Sequence, residues 1–332
     1  MLQIFLVTFP FFALIALGYA AARVRALPLD AIPGLNTFVL YFALPCMLFR
    51  FGARTPIAQL LDGSVALVWG ACALVVIWAV VWGTKSKRGT RIGWNDAGFG
   101  ALVAAFPNTG FMGVPLLAAL IGPQVAGPVI ITIIFDTMVT SSVCIALSRL
   151  DGADEHGAAK AVRQAMRGML VNPLPWSILL GALVSALHLE LPAPIADTIA
   201  MLADAASPAA LFTIGAVLAR SVLLSRETSF QFPAALRSSL SRIGDVLPVV
   251  IVKLVAHPLL VYAVASGAMS LGLPISPMAL LAIVLVAALP SASNVAMLAE
   301  RFGADNGRIV RIILWTTVAA FFTFPVAVAW IR

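Results

Sequence analysis

The residues best suited to chemistry lie in two short polar segments, each placed directly after a proline within a long apolar run. The first is Pro107-Asn108-Thr109-Gly110, and the second is Pro290-Ser291-Ala292-Ser293-Asn294. Proline removes a backbone donor and clashes with the preceding turn, so each segment predicts a break in a helix. In hydrocarbon, a carbonyl group freed by such a break is tolerated only where it lines a cavity or packs on protein.

Each predicted break exposes the amino end of a half-helix, whose unpaired N–H groups and dipole attract an anion. The side chains of Asn108 and Asn294 can donate to a carboxylate without burying a fixed charge. Gly110 and Gly113 leave space for a ligand or a neighbouring helix. The pattern therefore predicts an anion site at the two breaks, and a pair of ordinary proline kinks with small packing residues is the alternative.

The composition indicates which solvent surrounds these segments. Of the 332 residues, 61% are hydrophobic and 11% are charged, whereas soluble domains carry roughly 25% charged residues. Most of the surface must therefore face lipid. The cysteines Cys46, Cys72 and Cys144 lie far apart within apolar runs, so we expect no disulfide framework, no metal and no cofactor.

A membrane-spanning helix needs about 20 mostly apolar residues. Apolar runs of this kind predict an all-α polytopic membrane protein with ten spans, at approximately 3–22, 32–50, 63–83, 95–120, 127–149, 169–188, 196–219, 246–270, 277–300 and 309–331. The first run has no basic region before it, so we expect a spanning helix there and not a cleaved signal.

The basic residues support this number of spans. With the amino terminus outside, 17 of the 21 Lys and Arg residues fall in loops on one side, three on the other, and Lys253 in a span. Such an asymmetry is the positive-inside signal of a membrane protein, and it explains the net charge of +7 without nucleic acid. An even number of spans predicts both termini on the periplasmic side of a bacterial inner membrane.

Weak internal similarity relates the two halves of the chain. Three matches occur in order: Pro10 and Gly18 with Pro173 and Gly181, Pro45 to Gly52 with Pro208 to Gly215, and Pro107 with Pro290. The first two matches share one shift in residue number, which we call the short offset, and the third has a larger shift, the long offset. Five spans per half is an odd number, so the halves insert in opposite orientations as inverted repeats. The predicted repeats are residues 1–150 and 169–332, joined by a cytoplasmic linker at 151–168.

Three ionisable residues, Asp136, Asp204 and Lys253, lie within or near the apolar zone of predicted spans, where charges are costly and are candidates for function. We expect Lys253 to neutralise a carboxylate substrate or to pair with Asp136, which is a candidate carrier of a proton or another cation. Reaching toward an interface, or pairing for stability alone, is the alternative for Lys253. Asp204 is expected to be solvated, and His257 is expected to be a hydrogen-bonded packing residue.

Other classes of protein fit the sequence less well. The histidines His156, His188 and His257 are too far apart for a metalloprotease motif, and no serine is combined with a base and an oxyanion site. We therefore expect no enzyme. A channel would need a continuous polar pathway. A non-transporting receptor stays as an alternative, although it would not explain two matched broken helices.

The sequence also resembles a known family. PNTGFMGVPLL at 107–117 resembles the fourth-helix signature of the auxin efflux carrier family, which includes plant PIN carriers and bacterial malonate/malate transporters. ALPSASN at 288–294 is similar to the ninth-helix partner, and Lys253-Leu254 followed by Pro258 resembles the eighth helix.

The resemblance implies a fold like that of sodium/bile-acid symporters, with helices four and nine crossing at their breaks. It implies a scaffold of spans 1–2 and 6–7, a transport domain of spans 3–5 and 8–10, elevator-type alternating access and a homodimer formed through the scaffold. The substrate would bind by Asn108 and the two crossover prolines.

A short central loop at 149–168 distinguishes the chain from the plant carriers and favours a small mono- or dicarboxylate such as malonate or malate. An exporter of another amphipathic or auxin-like weak acid is the alternative. Proton coupling, sodium coupling and uniport all stay open. The residues assigned to the substrate are Pro107, Asn108, Thr109, Gly110, Pro290, Ser291, Ser293 and Asn294, with Asp136 and Lys253 as charge or coupling candidates.

Overall fold

The computed structural model describes residues 2–55, 62–85, 92–150, 173–227 and 244–331. Across these residues the chain is helical, and its extended backbone amounts to one isolated β-bridge. The helices are α1 (Leu2–Arg23), α2 (Leu29–Arg54), α3 (Gly63–Lys85), α4 (Trp94–Ala105), α5 (Thr109–Ile121), α6 (Ala126–Ser148), α7 (Pro173–Ala186), α8 (Ala193–Glu227), α9 (Gly244–Ser270), α10 (Pro277–Ala287), α11 (Asn294–Arg301) and α12 (Asn306–Ile331). The predicted linker at 151–168 lies outside the described residues.

Seven of the described helices, α1, α2, α3, α6, α8, α9 and α12, are long and apolar enough to cross a membrane. Three shorter apolar helices are α5, α7 and α10. The predicted fourth span is divided into α4 and α5, and the predicted ninth span into α10 and α11. Large apolar side chains such as Leu17, Trp78 and Phe322 are exposed, as expected for a surface that faces lipid. The chain is therefore a multi-pass helical membrane protein.

Helices α1, α2, α7 and α8 form what we call the glycine bundle, in which α1 packs along α8 and α2 packs along α7. A Cβ atom at Gly18 would overlap the main-chain carbonyl of Phe212, and a Cβ atom at Gly181 would overlap that of Phe49. Glycine is required because the two backbones touch. The short offset carries Gly18 to Gly181 and Phe49 to Phe212, so it relates these two contacts as it relates the sequence motifs.

A second pair of contacts in the glycine bundle follows the same shift. Gly52 packs against the carbonyl of Ile178, and Gly215 packs against the carbonyl of Ile15. The short offset relates the two glycines to each other, and it relates the two isoleucines as well. The pairs of backbone contacts therefore give the glycine bundle an internal symmetry at the level of individual atoms.

The turns that join the helices of the glycine bundle also match. Arg25 follows α1 with φ 62°, and His188 follows α7 with φ 51°. Their N–H groups donate to the carbonyls of Ala22 and Ser185, each at 3.2 Å. A residue other than glycine seldom adopts this left-handed conformation, so its occurrence at two positions related by the short offset marks equivalent helix ends.

The remaining helices, α3 to α6 and α9 to α12, form what we call the crossover bundle. In it α3 packs against α4, α6 and α9, and α10 packs against α6 and α9. The bundle meets the glycine bundle where α1 contacts α5 and α12 and where α8 contacts the start of α5. The helix breaks therefore lie beside the boundary between the two bundles.

Candidate functional site

The two helix breaks cross at the centre of the crossover bundle. Pro107 and Ser291 face each other in an antiparallel bridge. The N–H group of Asn108 donates to the carbonyl of Pro290 at 2.8 Å. The break after α4 therefore supplies a donor to a carbonyl that has no helical partner, as a break inside a membrane requires.

The second bond of the crossing runs in the opposite direction, from the N–H group of Ala292 to the carbonyl of Phe106 at 3.0 Å. The N–H group of Ser291 donates to Oγ1 of Thr316 on α12 at 3.3 Å. Thr316 is fully buried and thus holds the second break from an adjacent helix. Thr316 is not predictable from the sequence, because a threonine within an apolar span carries no positional signal.

The first turn of α5 is wound around Asn108. Its carbonyl accepts the N–H groups of Met112 at 3.1 Å and Gly113 at 3.0 Å. The second of these bonds spans five residues, and α5 begins as a π-helical turn over Thr109–Gly113. Such turns occur often at functional sites. The main chain of Asn108 is thus committed to the crossing and to the turn, and its side chain is left for another role.

Polar side chains at the crossing have atoms without partners. Oδ1 of Asn108, Oγ of Ser291 and Oδ1 of Asn294 form no hydrogen bond, and Asn108 and Ser291 are 3% and 1% exposed. A buried polar atom without a partner is costly and calls for an explanation. A Cβ atom added at Gly110 would meet nothing within 4 Å. Asn108 therefore carries an unused polar atom two residues before a position with open space beside it.

The structure brings the predicted site residues of the two segments together around the bridge. Pro107, Asn108, Thr109, Pro290 and Ser291 are buried, and Gly110, Ser293 and Asn294 are partly exposed. Ser293 precedes α11 without capping it through its side chain. Helices α5 and α11 thus begin shortly after the two residues of the bridge, Pro107 and Ser291, within the two crossing segments.

Asp136 is fully buried on α6, within a π-helical turn. Its Oδ1 accepts Nε1–H of Trp69 at 3.0 Å and Oγ1–H of Thr140 at 2.8 Å. Its Oδ2 has no partner. One carboxylate oxygen is therefore fixed by two donors, and the other is available for a proton or a cation.

Lys253 is fully buried on α9, again within a π-helical turn. Its Nζ donates to the carbonyl of Ala287, the last residue of α10, at 2.7 Å and lies 3.4 Å from Nδ1 of His257. The carboxyl end of a helix is the negative end of its dipole, so Lys253 is well placed to stabilise the end of α10. Among the described residues, no ion pair joins Lys253 directly to Asp136.

An aromatic pair stands between the two buried charges. The rings of Trp69 and His257 lie 5.4 Å apart, with Trp69 bound to Asp136 and His257 beside Lys253. His257 is thus packed and in polar contact, as expected, and its Nε2 has no partner. Trp69 is not predictable from the sequence, because one tryptophan among several in apolar runs is indistinguishable from an interfacial anchor.

The other polar and concave features of the described residues lie away from the crossing. Asp204 is 70% exposed and pairs with Arg50 of α2 at 2.6 Å, in the glycine bundle. Grooves of about 240 and 180 Å³ lie between α3 and α6 and between α3 and α9. Neither groove is lined by Asn108, Ser291 or another residue assigned to the substrate. Within the described part of the chain, no cluster of His, Cys, Asp and Glu is placed to hold a metal ion.

A multi-pass helical fold with broken helices and buried polar groups at the breaks is typical of membrane transporters. Residues 4–328 match the family model described as membrane transport protein. The chain therefore belongs to this family of transporters, which includes the auxin efflux carriers, and the resemblance predicted from the sequence is confirmed.

Relatives extend this comparison over nearly the whole chain. The chain is 32% identical over 316 residues to a Rhizobium meliloti (strain 1021) protein named "Putative malonate transporter", covering 95% of this chain and 91% of the relative. It is 22% identical over 261 residues to auxin efflux carrier component 8 of Arabidopsis thaliana, covering 64% and 71%. An uncharacterized transporter of Methanothermobacter thermautotrophicus is 27% identical over 320 residues, covering 94% and 93%. All three relatives are named as transporters or carriers.

Proposed function

We propose that this protein is a secondary transporter that carries a small organic anion, a mono- or dicarboxylate such as malonate or malate, by elevator-type alternating access. The observation that carries the proposal is the crossing of the two breaks, with unpartnered side-chain atoms on Asn108, Ser291 and Asn294. Membership in a transporter family and a relative named as a malonate transporter support the choice of substrate.

The substrate site consists of the two crossing segments and the first turns of α5 and α11. A carboxylate there would be attracted by the amino ends of both half-helices and would accept hydrogen bonds from the Nδ2–H groups of Asn108 and Asn294 and from the hydroxyl of Ser291. The unpartnered Oδ1 atoms of the two asparagines are acceptors and would take a donor, such as the hydroxyl group of malate. Neutral donors suit a carrier, because a substrate held by a buried fixed charge would be slow to leave. The proposed contacts are Pro107, Asn108, Thr109, Gly110, Pro290, Ser291, Ser293 and Asn294.

The proposed architecture is ten spans in two inverted repeats, residues 1–150 and 169–332, with a cytoplasmic linker at 151–168. The paired contacts of Gly18 with Phe212 and of Gly181 with Phe49 support this repeat, as do the matched turns at Arg25 and His188. Four spans, α1, α2, α7 and α8, would form the scaffold. The crossover bundle would form the transport domain.

In the proposed mechanism, the crossover bundle moves as a unit along the glycine bundle and exposes the crossing to one side of the membrane at a time. The glycine bundle suits a fixed scaffold because its helices touch backbone to backbone, so sliding within it would cause clashes. The scaffold would also form a homodimer. The termini would lie on the periplasmic side of the bacterial inner membrane.

Lys253 and Asp136 are proposed to set the charge balance of the transport domain. Lys253 places a positive charge at the carboxyl end of α10, next to the anion site, and Asp136 has a free carboxylate oxygen. Asp136 would carry a proton or a sodium ion if transport is coupled. A uniport driven by the membrane potential is compatible with the same residues.

The decisive experiment is uptake of labelled malonate and malate by purified protein in liposomes, with and without proton and sodium gradients. Saturable uptake that is lost in both Asn108→Ala and Pro290→Ala is the expected result. Pro10→Ala, which alters an exposed proline inside α1 of the glycine bundle, is the matched control and should keep its uptake. Undiminished uptake in both crossing variants would overturn the placement of the site.

A second substrate class has one observation in its favour, the similarity to a plant auxin efflux carrier component. If neither malonate nor malate is taken up, the same liposomes loaded with labelled indole-3-acetate would test for export of an amphipathic weak acid. Counterflow of labelled substrate separates a carrier from a non-transporting receptor, because only a carrier exchanges substrate across the membrane.

A further inference from the structure

A buried arginine joins the amino ends of three helices at one end of the crossover bundle. Arg308, in the first turn of α12, has a side chain that is 4% exposed. Its Nε donates to Oδ2 of Asp245 on α9 at 2.7 Å, and its Nη1 donates to the main-chain carbonyl of Asp96 on α4 at 3.1 Å. One guanidinium group thus contacts both neighbouring helices.

The surrounding backbone is shaped to hold this group. A Cβ atom at Gly100 would lie 2.7 Å from Nη1 of Arg308, so glycine lets the guanidinium lie against α4. Asp305 accepts the N–H group of Arg308 at 2.9 Å, and its own N–H group donates to the carboxylate of Asp96 at 2.7 Å. We call Asp96, Asp245, Asp305 and Arg308 the arginine clasp.

The three helices of the arginine clasp are also the helices that hold the crossing. Lys253 on α9, Thr316 on α12 and Phe106 after α4 each form a hydrogen bond to the segment 287–292. Lys253 and Thr316 lie eight residues beyond the clasp residues of their helices, which is about 12 Å at the rise of an α-helix. The supports of the crossing therefore stand on helices whose amino ends are joined to one another.

We propose that Arg308 is a positioning residue for the transport site. Arg308 fixes the amino ends of α4, α9 and α12 relative to one another. It thereby sets the positions, along the helix axes, of Phe106, Lys253 and Thr316, which support the crossing. A helix is stiff along its axis, so a displacement at the clasp would reach the crossing and weaken substrate binding. The effect on substrate rests on the proposed function, whereas the effect on the crossing does not.

The clasp occurs at one end of the crossover bundle only, as far as the described residues show. The long offset, which relates the crossing prolines, replaces Arg308 with Val125 and Asp245 with Asp62. Asp62 accepts N–H groups at the start of α3 instead. The repeat architecture therefore does not itself require an arginine at this place, which favours a specific role for Arg308.

The test compares Arg308→Met with Arg50→Met, which removes the Arg50–Asp204 pair between two helices of the glycine bundle. Hydrogen exchange is measured by mass spectrometry on the protein in lipid nanodiscs, in peptides that cover 105–113 and 288–296. If Arg308→Met weakens the support of the crossing by about the free energy of one hydrogen bond, hydrogen exchange in these peptides should become about tenfold faster. The Arg50→Met variant should leave them unchanged.

A second readout is the KM for malonate or malate uptake, which should rise about tenfold in Arg308→Met while the maximal rate changes less. Arg308→Lys should be intermediate, because lysine can reach Asp245 but lacks the second planar donor for Asp96. If Arg308→Met does not fold, Asp245→Asn serves in its place, because Asp245 is 33% exposed and is easier to replace.

Unchanged exchange at the crossing in the clasp variants would overturn the proposal. Faster exchange spread evenly over all helices would overturn it as well, because that result describes general loosening without a specific effect on the crossing. If the wild-type protein carries neither acid, the proposed function fails but the exchange measurement still decides the role of Arg308.

Discussion

The internal similarity of the sequence has different counterparts in the glycine bundle and in the crossover bundle. In the glycine bundle, the contacts of Gly18 and Gly181 with the backbones of Phe212 and Phe49 are copies of each other. In the crossover bundle, the prolines match at the long offset, but the chemistry does not. The position equivalent to Lys253 by this offset is Gly70. The glycine contacts therefore follow the internal similarity of the sequence, and the buried charged residues do not.

The physical reason lies in what each kind of contact demands. A backbone-to-backbone contact excludes every side chain, so both matching positions must keep glycine. A buried charge is costly in a membrane and is placed only where it is used. Asp136 and Lys253 therefore occur once each, with Ala319 and Gly70 at the matching positions. The charge or coupling candidates thus lack a matching residue, whereas the crossover prolines of the substrate site match each other.

The largest effect is expected from breaking the symmetric contacts. Gly18→Val and Gly181→Val each drive a side chain into a backbone carbonyl that cannot move away, so each should destabilise the protein by ~3 kcal/mol or more. The two losses should be similar, because the contacts are equivalent. Thermal unfolding of the purified protein in detergent, followed by tryptophan fluorescence, measures both.

Gly34→Ala is the control for these variants, because a Cβ atom there meets nothing within 4 Å and the residue lies within α2. Replacing glycine inside a helix should raise stability by about 0.5–1 kcal/mol. A mild effect at Gly18 together with a severe one at Gly181 would contradict the symmetry of the glycine bundle.

In the crossover bundle, removing a charge should affect transport more than it affects folding. Lys253→Met keeps most of the length of the side chain but leaves the carbonyl of Ala287 without its donor, at a cost of about 1–3 kcal/mol. Because this carbonyl ends the half-helix next to the site, uptake should fall by about tenfold or more. Lys85→Met, on the surface above the ring of Trp94, is the control. Full transport by Lys253→Met would remove Lys253 from the mechanism.

The sequence predicted the breaks because proline acts locally, and it predicted the membrane class because composition is a property of the whole chain. Pro107 and Pro290 were recognised from their own neighbours. Positions of individual polar groups could not be predicted in the same way. The partner of Asp136 is Trp69, 67 residues away, and no pattern in the sequence connects them.

Arg308 is a second residue whose contacts could not be predicted from the sequence. In the sequence it counts as a basic residue of an inner loop and supports the topology. In the structure its side chain is buried and bound to Asp245, 63 residues away. Charge patterns predict which end of a helix faces inward, but only tertiary packing decides whether a charge at that end is solvated or paired.

Thr316 offers a finer test of how the crossing is supported. Thr316→Val removes the acceptor for the N–H group of Ser291 and leaves that donor buried, so stability should fall by about 1–3 kcal/mol and uptake by several-fold. The neighbouring Thr317 is buried too, but its hydroxyl only donates to Ile313 within its own helix. Thr317→Val should therefore leave uptake intact. Equal losses in the two variants would mean that the hydroxyl of Thr316 has no specific role.

The smallest expected effect returns to the symmetry of the glycine bundle. His188 ends α7 with φ 51°, a conformation that glycine adopts without strain. His188→Gly should therefore raise the free energy of unfolding by ~0.5–1 kcal/mol, and His188→Ala should not. Arg25→Gly, at the equivalent end of α1, should shift the unfolding temperature in the same direction. Opposite signs for the two glycine variants would show that the turns match in shape but not in energy, which would confine the symmetry to the glycine contacts.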